Sequence, residues 1–305
     1  MVKKVLGSKV LRLVFSVTLL YFAFRKIDMG LLLVDLTKVP IWFVVAMVAY
    51  MFLGILMGAV RWSWLLLEKP RWRDFLFFTK VNYIGGFYSL FLSSALGGDL
   101  FKWLHLKKRY KDLTKTQLAS SVVIDRVIGL SAFAVVAFCM MILGRLTGFV
   151  FPEFLFWFFM ALSGGVVIFY GLVFWFDFDK YFSRYKILRR VLQVMEILKK
   201  GNKKRIVMAL GISMIGQILW TLPIWFFSLI FGAGMSLLSV YVLVPIINLI
   251  LVLPISVAGF GAREQLFVYF FAPLGIAEEK ILLVSTFGGV MGILNALLGG
   301  LLMLL

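Results

Sequence analysis

Three places in this sequence put ionisable residues within apolar surroundings. Asp125 and Arg126 follow Ser120-Ser121-Val122-Val123-Ile124. Asp99 ends the run Leu92-Ser93-Ser94-Ala95-Leu96-Gly97-Gly98-Asp99. Arg263 and Glu264 end the run Ser256-Val257-Ala258-Gly259-Phe260-Gly261-Ala262-Arg263-Glu264. A charge at the centre of a membrane helix costs at least about 2.5–3.5 kcal/mol, so it is retained for a reason. Arginines beside carboxylates suit two tasks. They can form an ion-pair network that holds broken backbone segments in place. They can also line a polar cavity for a lipid headgroup, with Arg126 and Arg263 on phosphate and the acids steadying the arginines or a headgroup amine. Glycines let backbone approach a ligand closely, and the exposed N–H groups of a half-helix start bind anions. Asp99, Asp125, Arg126, Arg263, Glu264, Ser94, Gly97, Gly98, Gly259 and Gly261 are therefore the candidate substrate-binding residues.

Local geometry limits these readings. Counted from Lys115, Asp125 lies about 15 Å along a helix, which places it near mid-membrane. Adjacent residues point about 100° apart, so Asp125 and Arg126 need separate partners. Ser121 can reach Asp125 at i,i+4. Arg126 can reach Asp99 or Glu264 if the broken segments pack on this helix. Asp99 can instead pair with Lys102 or open a helix, and Glu264 can simply favour a positive helix start. Arg61, Trp62 and Trp64 read as interfacial anchors. Asn82, Gln217, Asn248 and Asn295 read as helix-to-helix hydrogen bonders.

Catalytic chemistry has little to work with. There is one His, His105, set among Lys107, Lys108 and Arg109, and one Cys, Cys139, inside an apolar run. That excludes a His-rich metal site and a disulfide framework. No P-loop, GxSxG, HExxH or CxxC occurs, so nucleotide-driven transport, the usual hydrolase mechanisms and zinc chemistry lack support. No catalytic residue, metal ligand or cofactor is expected.

The elements that must position these residues follow from composition. The chain has 305 residues, 63% of them hydrophobic, against about 45–50% in a globular domain. Its net charge of +18 sits in short basic blocks between apolar spans, as in cytoplasmic loops near anionic lipid, rather than in a nucleic-acid face. Spans are expected at 9–24, 40–66, 115–143, 153–176, 206–231, 237–255 and 280–305. The polar break at 25–39 can hold a short interfacial helix. Residues 10–24 read as a first membrane helix, since no signal-peptide cleavage site follows. The expected fold is an all-α polytopic membrane protein of about seven or eight transmembrane helices, one domain over 1–305.

Loop charge sets the expected topology. Lys3, Lys4, Lys9 and Arg12 place the N-terminus in the cytoplasm. If 74–98 crossed the bilayer, Lys102, Lys107, Lys108, Arg109, Lys111 and Lys115 would lie outside, against the positive-inside tendency. A re-entrant segment at 74–98 keeps them inside, and a second is expected at 256–276. Both carry Ser-x-x-Gly, at Ser94/Gly97 and Ser256/Gly259, which allows an internal inverted repeat. Segment 177–205, with ten bases and three acids, is expected inside. Its 180–200 stretch has amphipathic spacing, either as an inner-leaflet helix or as a charged connector.

The run from Leu92 to Asp99, the pair Asp125-Arg126, the stretch from Leu253-Pro254 to Glu264, and Arg61-Trp62 with Leu65-Leu66 resemble the flippase-like family, the transmembrane region of bacterial lysylphosphatidylglycerol synthases. Ser94 departs from the pattern, since many relatives carry proline near it. The resemblance implies a helical bundle with re-entrant segments that moves a phospholipid between leaflets. An aminoacylated phosphatidylglycerol is one implied cargo, and a polyprenyl-phosphate-linked sugar is the other. The last span ends at Leu305, so the soluble synthase domain of the fused relatives is not expected and its activity does not carry over. Implied partners are membrane lipids with anionic headgroups, and a lipid-modifying synthase or glycosyltransferase. The expected location is the plasma membrane. Two further readings stay open. One is an intramembrane transferase using Asp99, Asp125 or Glu264; the other is a non-catalytic partner subunit.

Overall fold

A computed structural model describes residues 34, 36–92, 95–175, 203–251 and 259–304. The expected first span, most of the 25–39 break, Ser94, Ser256 and nearly all of 177–205 lie outside these residues. The described residues are helical, with no strand among them. They form α1 (Ile41–Leu66), α2 (Trp72–Leu92), α3 (Ala95–Arg109), α4 (Lys115–Leu146), α5 (Glu153–Trp175), α6 (Lys203–Ile230), α7 (Leu237–Leu251), α8 (Ala262–Phe271), a 3-10 turn (Ala272–Leu274) and α9 (Glu278–Leu304). Five of these, α1, α4, α5, α6 and α9, are long and apolar enough to cross a membrane. Their bounds fall within three residues of the expected spans, because uninterrupted apolar runs between basic blocks mark both ends.

Helix starts and stops have local causes. Thr114 opens α4 with a capping box: Thr114 Oγ1 accepts from the Gln117 N–H at 3.2 Å, and Gln117 Oε1 accepts from the Thr114 N–H at 2.9 Å. This satisfies two donors that the first turn would otherwise leave free. Past the end of α1, the Arg205 guanidinium at the start of α6 donates to the Leu67 and Glu68 carbonyls at 3.4 and 2.7 Å. Those carbonyls have no intrahelical partner, and a cation suits the negative end of a helix.

The chain divides into two compact units: residues 1–52, 87–97 and 219–305 in the first, and residues 53–86 and 98–218 in the second. In the second unit, Trp62, Phe78, Val81, Leu106 and Leu118 pack into a core of α1, α2, α3 and α4. Trp62 and Phe78 meet edge to face at 4.8 Å, the geometry that the ring quadrupoles favour. Ile124 and Ile128 of α4 pack with Val173 of α5 and with Ile206 and Ala209 of α6. In the first unit, Phe287 of α9 meets Phe227 of α6 and Phe231, just past its end, edge to face at 5.0 and 5.4 Å.

The start of α2 and the end of α3 meet. Asp74 accepts a hydrogen bond from the Tyr110 hydroxyl at 2.8 Å and pairs with Arg109 at 3.3 Å. Residues 72–86 and 98–110 thus form a helical pair whose outer ends lie together. Gly85 permits the close approach of its arms: a Cβ there would sit 2.7 Å from Lys102 Cε and 3.3 Å from the Gly98 carbonyl. Residues 99–109, expected as a basic loop, are helical, and Lys102 turns inward. Its ammonium lies 5.5 Å over the Trp62 ring.

In the first unit, α7 ends at Leu251 rather than at 255. Its 15 residues reach about 22 Å, short of the roughly 30 Å hydrocarbon layer. The ten-residue α8 reaches about 15 Å. Both lie beside a segment that carries Pro254, Gly259 and Gly261. Gly259 and Gly261 take positive φ of 82° and 80°, a region that residues with a Cβ seldom occupy.

Candidate functional site

Five charged side chains gather in the second unit, from α1, α3 and α4. Arg126 of α4 donates to both oxygens of Asp99 at the start of α3, Nε to Oδ2 at 2.9 Å and Nη2 to Oδ1 at 3.0 Å. This fork fits a carboxylate better than any single donor. Asp125 faces the other way, as its 100° offset requires. It accepts from Arg61 of α1, with Nε and Nη2 at 2.8 and 2.7 Å from Oδ1. Lys102 stands 3.8 Å from Asp99. Three bases thus face two acids, which leaves one positive charge in excess.

Sequence reasoning offered Asp99 as one of two partners for Arg126 and Lys102 as a partner for Asp99, and both contacts are present; it did not foresee that Arg61 joins them. Arg61 was read as an anchor, yet its side chain is only 15% exposed and it also donates to Ser213 Oγ of α6 at 3.0 Å. Gly129, one turn beyond Asp125, packs against the same guanidinium, and a Cβ there would make an ordinary contact at 3.5 Å. Ser121 does not serve Asp125. Its hydroxyl donates to the Leu118 carbonyl at 2.8 Å and accepts from Trp62 Nε1 at 3.3 Å. Lys102 was also counted among loop charges. The signals for both were present but ambiguous: Arg-Trp is anchor composition, and a lysine among five other bases reads as a loop.

The placement of the cluster along its helices also differs from expectation. Helix α4 has 32 residues, about 48 Å, which exceeds a hydrocarbon layer of roughly 30 Å. Residues 127–144 carry no charge, and that run alone covers about 27 Å. Residues 41–60 of α1, just before Arg61, are likewise uncharged. Asp125, Arg126 and Arg61 therefore lie at one end of the uncharged stretches of α4 and α1, not at their middle. Arg126 is 47% exposed there, whereas Asp99 is 15% exposed.

Arg263 and Glu264 lie at the start of α8 in the first unit. Glu264 is buried, and its Oε2 accepts from the Gly261 N–H at 2.7 Å. The Arg263 guanidinium fits a notch made by two glycines. A Cβ at Gly259 would lie 3.2 Å from Nη2, and one at Gly289 would lie 2.7 Å from Nη1. The Phe260 ring lies 5.9 Å away. Gly97 falls in the first turn of α3, and Gly98 is buried beside Gly85. No group of three or more His, Cys, Asp or Glu that could hold a metal occurs among the described residues.

No curated protein and no solved structure matches the chain. The family model described as the lysylphosphatidylglycerol synthase TM region matches residues 9–299. With the match running from before α1 into the last turns of α9, the chain belongs to the family of lysylphosphatidylglycerol synthase transmembrane regions.

Proposed function

We propose that this protein moves a phospholipid between leaflets, with the headgroup phosphate drawn to the charge cluster on α1, α3 and α4. The observation that carries this reading is the cluster's excess of cation together with the exposure of Arg126, whose side chain is 47% accessible at the edge of an apolar helix. An arginine with a fork already aligned by a carboxylate can shift donors to phosphate without reorganising its chain. The excess positive charge means that an arriving phosphate is attracted even while both acids stay ionised. The place of the cluster at one end of the uncharged stretches also fits, since a lipid headgroup lies at the boundary of the hydrocarbon, not in its centre. Arg263 supplies a second cationic position, in the first unit.

The α2–α3 pair, whose outer ends meet at Asp74 and Tyr110, supports a segment that enters and returns on one side. It keeps the six bases from Lys102 to Lys115 on one face. With the basic N-terminus, this favours that face as cytoplasmic and a multi-pass arrangement in the plasma membrane. Given the family, the cargo class includes phosphatidylglycerol and its aminoacyl esters: the phosphate common to both meets Arg126, and the amine of an ester meets Asp99. The protein acts as a transporter in this reading, with membrane lipids as its partners and a lipid-modifying synthase as their source.

Purified protein in vesicles tests the reading. Labelled phosphatidylglycerol and its lysyl ester should cross faster than in protein-free vesicles, with both lipids recovered unchanged. Chemical turnover of the lipid without net crossing would support an intramembrane transferase instead.

A further inference from the structure

Glu264 is completely shielded, with a relative exposure of 0%. Its Oε2 is satisfied by the Gly261 N–H. Its Oε1 is buried and has no partner. From α9, the Ser285 hydroxyl faces this carboxyl, yet no hydrogen bond of good geometry has formed, and Ser285 Oγ is also buried without a partner. A buried polar atom left unsatisfied costs stability and calls for an explanation. Here a carboxyl oxygen and a hydroxyl face each other, both buried and both without a partner.

The charged surroundings are sparse. Arg263 is the adjacent cation and interacts with Glu264 electrostatically. Helix α7, which packs on α8, carries no Asp, Glu, Lys or Arg, and its one titratable residue is Tyr241. The segment 252–260 and the 3-10 turn carry no charge. On α9 the charges are Glu278, Glu279 and Lys280, all in its first turn. Among the described residues, Arg263 is the one cation beside this carboxyl, and the Gly261 N–H donates the one hydrogen bond of good geometry that it accepts.

We propose that Glu264 is a proton-binding site, in which Oε1 takes up a proton and donates it in a hydrogen bond to Ser285 Oγ. The proton comes from hydronium, an oxygen lone pair of the carboxylate forms the new O–H bond, and water is left behind. The side chain passes from one negative charge to none. Arg263 then loses its adjacent counter-charge and becomes free to pair with an anion. Proton uptake and anion binding at Arg263 therefore favour each other, and the coupling is reciprocal. A proton gradient could in this way drive the movement of a phospholipid headgroup. That last step rests on the transport reading; the proton site does not.

Infrared titration of the purified protein in lipid nanodiscs separates the two. Wild type should show the carbonyl band of a protonated carboxylic acid. Glu264→Gln, whose amide oxygen can still accept from Gly261, should lack it. Ser285→Ala should move both the band and its titration midpoint, because the acceptor is gone. A band that persists in Glu264→Gln, or the absence of any such band in wild type down to the acid limit of stability, overturns the proton site. In vesicles, an inward pH gradient should accelerate movement of labelled phosphatidylglycerol by wild type and not by Glu264→Gln. If the band behaves as expected and no lipid moves, the proton site stands and the transport reading fails.

Discussion

Arg126 grips Asp99 through two parallel hydrogen bonds of 2.9 and 3.0 Å across 27 positions of sequence. The pair joins the second turn of α3 to the fourth turn of α4, so it ties these two helices together while leaving about half of the Arg126 side chain exposed. Its structural share is modest, because exposed pairs contribute about 0–1 kcal/mol. Replacing Arg126 by Lys should keep the charge and the fold and still impair function, since an ammonium cannot make the fork. Thermal unfolding in detergent alongside lipid movement in vesicles checks this: a near-unchanged midpoint with slowed movement is expected.

The Arg61–Asp125 pair should behave in the opposite way. Both side chains are mostly covered, at 15% and 12% exposure. Removing one partner of a buried pair costs about 3–5 kcal/mol. Arg61→Ala and Asp125→Ala should each lower the unfolding midpoint markedly. The double variant should be less destabilised than the two losses added together. Strict additivity would show that the two charges do not depend on each other.

Glycine substitutions test the notches. Gly85→Ala would place a methyl 2.7 Å from Lys102 Cε and 2.9 Å from its Cγ, with the Gly98 carbonyl also close. Overpacking of this kind costs about 1–3 kcal/mol and should displace Lys102. Gly86 has nothing within 4 Å of a new Cβ, so Gly86→Ala should be tolerated. Comparing the two variants by unfolding and by lipid movement separates a steric effect from a change of helix propensity.

The outer end of the α2–α3 pair carries a pH signature outside the membrane-crossing helices. Burial by itself raises the Asp74 carboxyl, but the Arg71 N–H, the Tyr110 hydroxyl and Arg109 more than offset it and hold it below its ordinary value. A carboxyl depressed in the folded state contributes stability above its unfolded value of about 3.9. That contribution is lost as pH falls through the folded value. The wild-type midpoint should therefore fall on acidification below about pH 4, and Asp74→Asn should remove this part of the fall.

Much of this architecture was legible in the sequence, for physical reasons. Apolar runs bounded by bases have few alternatives to spanning helices, so α1, α4, α5, α6 and α9 were found to within a turn. The glycines and charges of 92–109 marked a break after α2, and α2 does end at Leu92. Asp99 was one of two partners open to Arg126. Other features were hidden because one composition serves two ends. Arg61 followed by Trp62 is how a helix anchors at an interface, and it is also how this helix delivers a cation to Asp125. Lys102 counted as one of six loop bases until α3 turned it toward Trp62. Helical spacing allowed Ser121 to meet Asp125, but the Trp62 indole, on another helix, takes that hydroxyl. The expected depth of Asp125 was counted from Lys115, whereas the uncharged run of α4 begins only after Arg126.

The central claim is that the exposed guanidinium of Arg126 receives a headgroup phosphate. Its most direct test is the initial rate at which labelled phosphatidylglycerol crosses vesicles that contain equal amounts of folded wild type or Arg126→Ala. Losing a charge-assisted contact of about 1.5–3 kcal/mol should slow crossing at least about tenfold. Equal rates for the two proteins would contradict the account.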